Sequence, residues 1–262
     1  MKNVFPFLFA LMLFACGPAN DKQNPGNDTA AVENITADTV VYSYNTVNRK
    51  ETNATIKDTG FLYHATITYP VISTTGVLAD SINKALRAGL FNNKPTAEAF
   101  ADSFVVRPTD MGNYPAMNSW FYNAHADVLI NTPKLFVVRF DIGSYTGGAH
   151  GSAVTVYYNF DKTGKQLTWN EVIEAGKKDT LVKISEAALR KAKEIPATQS
   201  WNQAGFFIDS SHLPLPAAFG FDKTGLLMTY NQYEVAPYAS GIMSYTIPYS
   251  QLEGVIKKEW MP

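Results

Sequence analysis

The sequence predicts an α+β fold: mostly antiparallel sheet with helices packed on it, in two related or closely packed subdomains. Three observations carry the prediction. Short β-branched and aromatic stretches alternate between turn clusters rich in Gly, Pro, Asn and Asp. Other stretches place apolar residues three and four apart. A five-residue turn, Phe160-Asp161-Lys162-Thr163-Gly164, recurs as Phe221-Asp222-Lys223-Thr224-Gly225. Strands repeat every two residues and helices every 3.6, so spacing separates them.

The chain opens with Lys2 and an apolar run from Val4 to Phe14, closed by Leu13-Phe14-Ala15-Cys16-Gly17-Pro18. That is the outline of a signal peptide over 1–15. A membrane-spanning helix needs about 20 apolar residues, and this run, interrupted at Pro6, is too short. Leu13, Ala15 and Cys16 resemble the bacterial lipobox, although Phe14 is bulkier than that pattern usually carries. The resemblance implies cleavage before Cys16 and lipid on its thiol, so that a membrane of the bacterial cell envelope is a partner, on the periplasmic face or the cell surface. Each buried lipid CH₂ contributes about 0.8 kcal/mol. Cys16 is the only cysteine, which excludes an internal disulfide and leaves stability to the core.

Residues 16–38 hold almost no large apolar side chain and read as a flexible tether. Asp28-Thr29-Ala30 and Asp38-Thr39-Val40 resemble the O-glycosylation acceptor of some Bacteroidetes. From Cys16 onward the charge is 21 basic against 23 acidic residues, since only Lys2 is lost from the 22 basic ones. That balance gives no attraction to nucleic acid.

The folded part divides into an N-terminal α+β region, 39–150, and a C-terminal one, 151–262. A strand begins near Val40, and a second spans Phe61 to Val71. Leu78, Ile82, Ala85, Leu86 and Leu90 mark an amphipathic helix from Val77 to Phe91, and a weaker helix covers Ala97 to Phe104. Trp120 to Ile130, Lys134 to Ser144 and Ala153 to Asp161 form an antiparallel meander. Thr168 and Glu171 have capping-box spacing before a short helix through Ala175, and a longer helix runs near Thr180 to Ile195. Leu226 to Val235 and Met243 to Tyr249 are the closing strands. Ser250 is placed to cap a terminal helix containing Leu252, Val255 and Ile256. The two Asp-Lys-Thr-Gly segments are hairpin turns.

Catalytic chemistry is not assigned. His64, His125, His150 and His212 are scattered, without the close ligand pairs of a zinc site, and neither a metal nor another cofactor is predicted. No Gly-x-Ser-x-Gly elbow is present, and no set of residues supplies an acid, a base and an oxyanion donor. The segment Ser144-Tyr145-Thr146-Gly147-Gly148-Ala149-His150-Gly151 brings glycine-rich backbone beside a histidine; the bland reading is a tight connection that His150 fixes by hydrogen bonding. Tyr114, Tyr145, Tyr233 and Tyr238 fall in expected loops, where a tyrosine offers a stiff amphipathic surface to a protein or glycan. Tyr145, His150, Tyr233 and Tyr238 are the candidate partner-binding residues.

Three segments resemble a known family: Tyr145 to His150, Tyr158 to Lys165 with Leu167, and Tyr233-Glu234-Val235-Ala236-Pro237-Tyr238-Ala239-Ser240-Gly241. They are similar to the domain of unknown function in the extracellular region of the lysozyme-sensing anti-sigma factor RsiV and in the non-catalytic N-terminal region of the peptidoglycan deacetylase PdaC. The resemblance implies an α+β recognition module over most of Val40 to Trp260. The sequence carries neither the sigma-binding segment of the first relative nor the deacetylase domain of the second. The reading is a lipid-anchored binding or sensing module, with lysozyme-like hydrolases or peptidoglycan fragments as first partners. Its alternatives are an enzyme acting on cell-wall glycan, with a cleft around His150 or Asp141, and a structural envelope lipoprotein.

Overall fold

A computed structural model describes residues 39–51, 63–106, 120–208 and 211–261. The signal segment 1–15, the lipidation residue Cys16, the tether 16–38 with its acceptor motif at 28–30, and Tyr114 lie outside the described residues.

Five strands form the larger sheet in the order β1-β2-β3-β4-β5: β1 (Tyr42–Lys50), β2 (His64–Ile72), β3 (Phe121–Asn131), β4 (Leu135–Tyr145) and β5 (Ser152–Asp161). Helices α1 (Val77–Leu90) and α2 (Ala97–Phe104) lie in the chain between β2 and β3. That insertion lets β2 and β3 run parallel while every other pair in the sheet is antiparallel. A parallel pair needs a crossover of about a dozen residues or more. After β5 come α3 (Trp169–Val172), α4 (Lys178–Ala192) and a three-stranded antiparallel sheet of β6 (Ala218–Phe221), β7 (Gly225–Tyr230) and β8 (Met243–Pro248). The α+β expectation holds, with two sheets and two cores.

Helix α1 buries Ala79, Ile82, Ala85, Leu86 and Leu90 along one face. Helix α2 starts at Thr96, whose hydroxyl accepts from the Ala99 N–H at 3.1 Å, a cap worth about 1 kcal/mol. Both helices cover one face of the larger sheet, where Ile67, Ala126, Phe136, Val138, Phe140 and Phe160 complete the first core. The second core joins Ile130, Leu135 and Val137 to Leu181, Leu189, Phe219, Met228 and Ile247. Residues 135–138 of β4 are therefore buried on both faces of their sheet.

A β-bulge makes this possible on the neighbouring strand. Val128 pairs with Val138, but Ile130 pairs with Val137, so the extra residue Leu129 turns Ile130 to the opposite face and into the second core. The Val128 N–H donates to the Tyr44 hydroxyl at 2.9 Å.

The two sheets meet at β5. The Tyr157 hydroxyl lies 3.2 Å from Thr229 Oγ1, and the Asn159 amide donates to the Phe219 carbonyl at 2.9 Å. At Gly220 the approach is so close that an added Cβ would sit 2.4 Å from Tyr157 Cδ1.

Four sequence expectations change. The division after His150 falls in the β4–β5 connection, and the larger sheet runs across it. The two Asp-Lys-Thr-Gly turns share their chemistry: Asp161 Oδ1 accepts from the Thr163 N–H at 2.8 Å and its hydroxyl at 2.6 Å, and Asp222 Oδ1 accepts both from Thr224 at 2.7 Å. Only the second joins paired strands, β6 and β7. After the first, a single Phe160–Gln166 bridge leads into the capping box that starts α3. There Glu171 accepts from the Thr168 hydroxyl and N–H and from Lys165 Nζ, which hold its carboxyl down to about 2. Strand β7 ends at Tyr230 rather than Val235 because a turn, closed by the Glu234 N–H to the Asn231 carbonyl at 3.1 Å, follows at once. Ser250 caps no helix: Tyr249–Gln251 is one 3₁₀ turn, and Gly254, at φ +67°, leaves the helical region. Leu252, Val255 and Ile256 are nevertheless buried.

Replacing Gly220 with Ala forces Tyr157 off its packed position, and overpacking of this kind costs about 1–3 kcal/mol. Urea unfolding of G220A is expected to show a lower midpoint than the wild type; an unchanged midpoint would mean that the sheets do not meet this closely.

Candidate functional site

Three of the four candidate residues come together. His150, in the β4–β5 connection, stacks on Tyr238 with ring centroids 3.9 Å apart and planes 24° from parallel. Tyr233 lies 6.2 Å from His150 and 5.8 Å from Tyr238, and its hydroxyl is 3.3 Å from His150 Nε2. The trio faces outward: His150 and Tyr233 are exposed, Tyr233 at 58 %. Nearby, the Phe207 N–H donates to the Val235 carbonyl at 2.8 Å, and Phe207 is 59 % exposed. A third segment, carrying Phe207, thus lies against the 231–241 loop with another exposed ring.

What holds the 231–241 loop in place is a side chain that mimics a peptide group. Asn231 Oδ1 accepts from the Thr155 N–H at 2.8 Å and its Nδ2 donates to the Thr155 carbonyl at 2.9 Å, extending the hydrogen bonding of β5 beyond its edge. Gln232 Oε1 accepts from the Ala153 N–H at 3.0 Å. Glu234 then clamps the turn, accepting from the Asn231 N–H and the Ala217 N–H, both at 2.9 Å. These three residues were not among the sequence candidates. The available signal was the run Asn231-Gln232-Tyr233-Glu234, polar turn formers placed directly after a buried strand.

Tyr145 behaves differently. It ends β4 rather than lying in a loop, its hydroxyl donates to the Gly148 carbonyl at 2.9 Å, and its ring stacks 6.4 Å from Phe121. It borders the open sheet face instead of joining the three-ring cluster. Gly147 and Gly148, at φ +94° and +95°, make the reversal between β4 and β5. His150 Nδ1 lies 2.9 Å from the Gly151 carbonyl, so the expected link to backbone is present together with the ring contacts.

Other tyrosines belong to the cores. The Tyr122 hydroxyl donates to the Leu90 carbonyl at 2.9 Å, and Tyr245 bonds Ser185 at 2.7 Å; burial pushes both phenols up to about 12. The remaining histidines disperse. His125 pairs with Asp127 at 2.8 Å and His212 with Glu186 at 2.9 Å, while His64 stacks on Phe121 at 5.9 Å. Asp141, the alternative centre for an enzyme, pairs with Arg139 at 2.8 Å and accepts from the Thr155 hydroxyl at 2.7 Å. It lies on the sheet face, separate from the His150 cluster. Among the described residues no group of three His, Cys, Asp or Glu could hold a metal ion, and no helix is long and apolar enough to cross a membrane.

The class that this architecture defines is an α+β module with its exposed rings on loops at one sheet edge. Residues 170–250 match the family described as "Protein of unknown function (DUF3298)", and residues 56–153 match the one described as "Deacetylase PdaC". The resemblance drawn from the three sequence segments to this domain-of-unknown-function family and to the N-terminal region of PdaC therefore holds. Two crystal structures share the fold. A member of the DUF3298 family from Bacteroides fragilis is 24 % identical with a TM-score of 0.66, covering 85 % of this chain and 96 % of its own. A DUF3298 family protein from Pseudomonas aeruginosa is 16 % identical with a TM-score of 0.64, covering 85 % and 97 %. No curated protein matches the chain.

Tyr233 sits at φ +66°, a left-handed conformation that costs a side-chain-bearing residue about 1–2 kcal/mol. Comparing Tyr233→Gly with Tyr233→Ala isolates that strain, since both remove the ring. The glycine variant is expected to unfold at higher urea, by about 1 kcal/mol; equal stabilities would show an unstrained loop.

Proposed function

We propose that this chain is a binding module of the bacterial cell envelope, held to a membrane by lipid on Cys16, and that the ring cluster His150, Tyr233 and Tyr238 is where it docks a protein partner. A lysozyme-like hydrolase is the first candidate. The observation that carries the reading is the cluster itself: three rings from two loops, packed on each other, with His150 and Tyr233 exposed and Tyr238 half-buried, and anchored by Asn231 and Glu234. Large rings held rigid lose little conformational entropy on contact, which is why Tyr is enriched among the residues that dominate interfaces. A loop that carries a strained Tyr233 outward supports the same reading, because local backbone strain collects at functional positions. The resemblance to the lysozyme-sensing relative, given in the sequence analysis, supplies the candidate partner.

The enzyme alternative gains little support. Asp141 and His150 do not converge on one cleft, and the carboxylates of the sheet face are each engaged by a neighbouring cation or hydroxyl.

Calorimetric titration with lysozyme tests the proposal. Saturable binding is expected, weakened roughly 30-fold or more in a Tyr233→Ala, Tyr238→Ala double variant, which corresponds to loss of about 2 kcal/mol at an interface centre. Absence of binding by the wild type, or equal binding by the double variant, would refute the assignment.

A further inference from the structure

The exposed face of the larger sheet carries a second feature. Strand register aligns Thr66, Asn123, Gly143 and Ala153 in one row, and Thr68, His125, Asp141 and Thr155 in the next. Alternation puts all eight on one face, and together they line an open, shallow groove of about 470 Å³. We propose that this groove binds an uncharged, linear oligosaccharide. The inference extends the binding reading to a separate surface and does not depend on the ring cluster.

The floor of the groove is Gly143. Glycine inside a strand weakens it and marks a bulge, a bend or the close approach of a ligand. Pairing is regular on both sides of Gly143, with Asn123 and Ala153 opposite it, and it is not among the positive-φ glycines. A Cβ there would meet only Phe121 Cε2 at 4.0 Å, an ordinary contact. Neither packing nor backbone geometry requires glycine at this position. What glycine provides is a trough.

The walls define the ligand. On one side His64, Phe121 and Tyr145 stand in a row, stacked at 5.9 and 6.4 Å with planes 19° and 28° from parallel; the row borders the trough with aromatic surface that the C–H groups of a sugar can pack against. On the other side each charged group already has a partner. Asp127 lies between His125 at 2.8 Å and Arg139 at 2.9 Å, and Asp141 between Arg139 at 2.8 Å and the Thr155 hydroxyl at 2.7 Å. Thr66 and Asn123 make no side-chain hydrogen bond among the described residues and can serve neutral hydroxyl and amide groups. A charged ligand would have to displace an existing pair; an uncharged one would not. Beyond Asp141 and Thr155, which border both, a second hollow of about 330 Å³ reaches Tyr157 and Asp222. A surface extended in this way suits a linear chain.

The test is calorimetric titration of the full-length chain in detergent with two uncharged probes, N-acetyl-chitotetraose and cellotetraose, and with the cationic de-N-acetylated tetramer as the charge control. Saturable binding of at least one uncharged tetramer is expected, at least tenfold tighter than the cationic one. Gly143→Val should weaken it at least tenfold while the urea midpoint stays level or rises, because valine suits a strand better than glycine. The Tyr233→Ala, Tyr238→Ala variant should bind the saccharide as the wild type does, even where lysozyme binding is lost. Failure of both uncharged probes, equal affinity for the cationic tetramer, or undiminished binding by G143V would each overturn the proposal. Loss of lysozyme binding alone would leave it standing.

Discussion

Strand β4 sends alternate side chains into two cores: Leu135 and Val137 into one, Phe136, Val138 and Phe140 into the other. Each such side chain contributes about 1.5–3 kcal/mol by leaving water. Most other features follow from serving both sides. The bulge at Leu129 lets β3 follow β4 by turning Ile130 to the second core. Gly220 lets β6 approach Tyr157 closely enough to close that core over the sheet. The family matches end and begin at residues 153 and 170, yet the segment between them holds most of β5, the strand that binds the two cores together. The two family matches thus cover strands of different sheets, and β5 between them ties those sheets together.

The same sheet ends where its edges are finished by asparagine. Asn131 exchanges two hydrogen bonds with the Val40 backbone, at 3.0 and 2.8 Å, and Asn231 does so with Thr155. An Asn amide carries the donor and acceptor of a peptide group, so it can continue a ladder where the chain itself turns away. At Asn131 the device fixes the start of the described fold. At Asn231 it positions Tyr233 and Tyr238 against His150. The order of causes runs from a doubly buried strand, to an edge that needs finishing, to a ring cluster held at that edge.

Much of the fold was legible because its signals are local. Helix α2 has the boundaries that its spacing implies, and the β3-β4-β5 meander follows from alternation and short connections. Three features were not legible, each for a physical reason. The bulge at Leu129 looks apolar in either register, so only pairing with β4 reveals it. The terminal helix failed because Gly254 takes a positive φ that its neighbours do not forecast. Leu167 follows the first Asp-Lys-Thr-Gly turn without entering a paired strand, and plugs the second core between that turn and the α3 cap. At the ring cluster, the Tyr and His types were readable as exposed recognition residues, whereas Asn231 and Glu234 act through contacts with residues far away in the chain and left only a turn signal. The open groove was invisible because its residues become neighbours only once four strands are in register.

The central claim is that the Asn231–Thr155 pairing builds the ring cluster. The most direct measurement is the NMR spectrum of the His150 imidazole in the wild type and in Asn231→Ala. Stacking at 3.9 Å on Tyr238 predicts ring protons shifted upfield by the tyrosine ring current in the wild type. It also predicts a return toward free-histidine positions in N231A, while the core tyrosines keep their shifts. An unshifted His150 in the wild type, or an upfield shift that survives the loss of Asn231, would contradict the account.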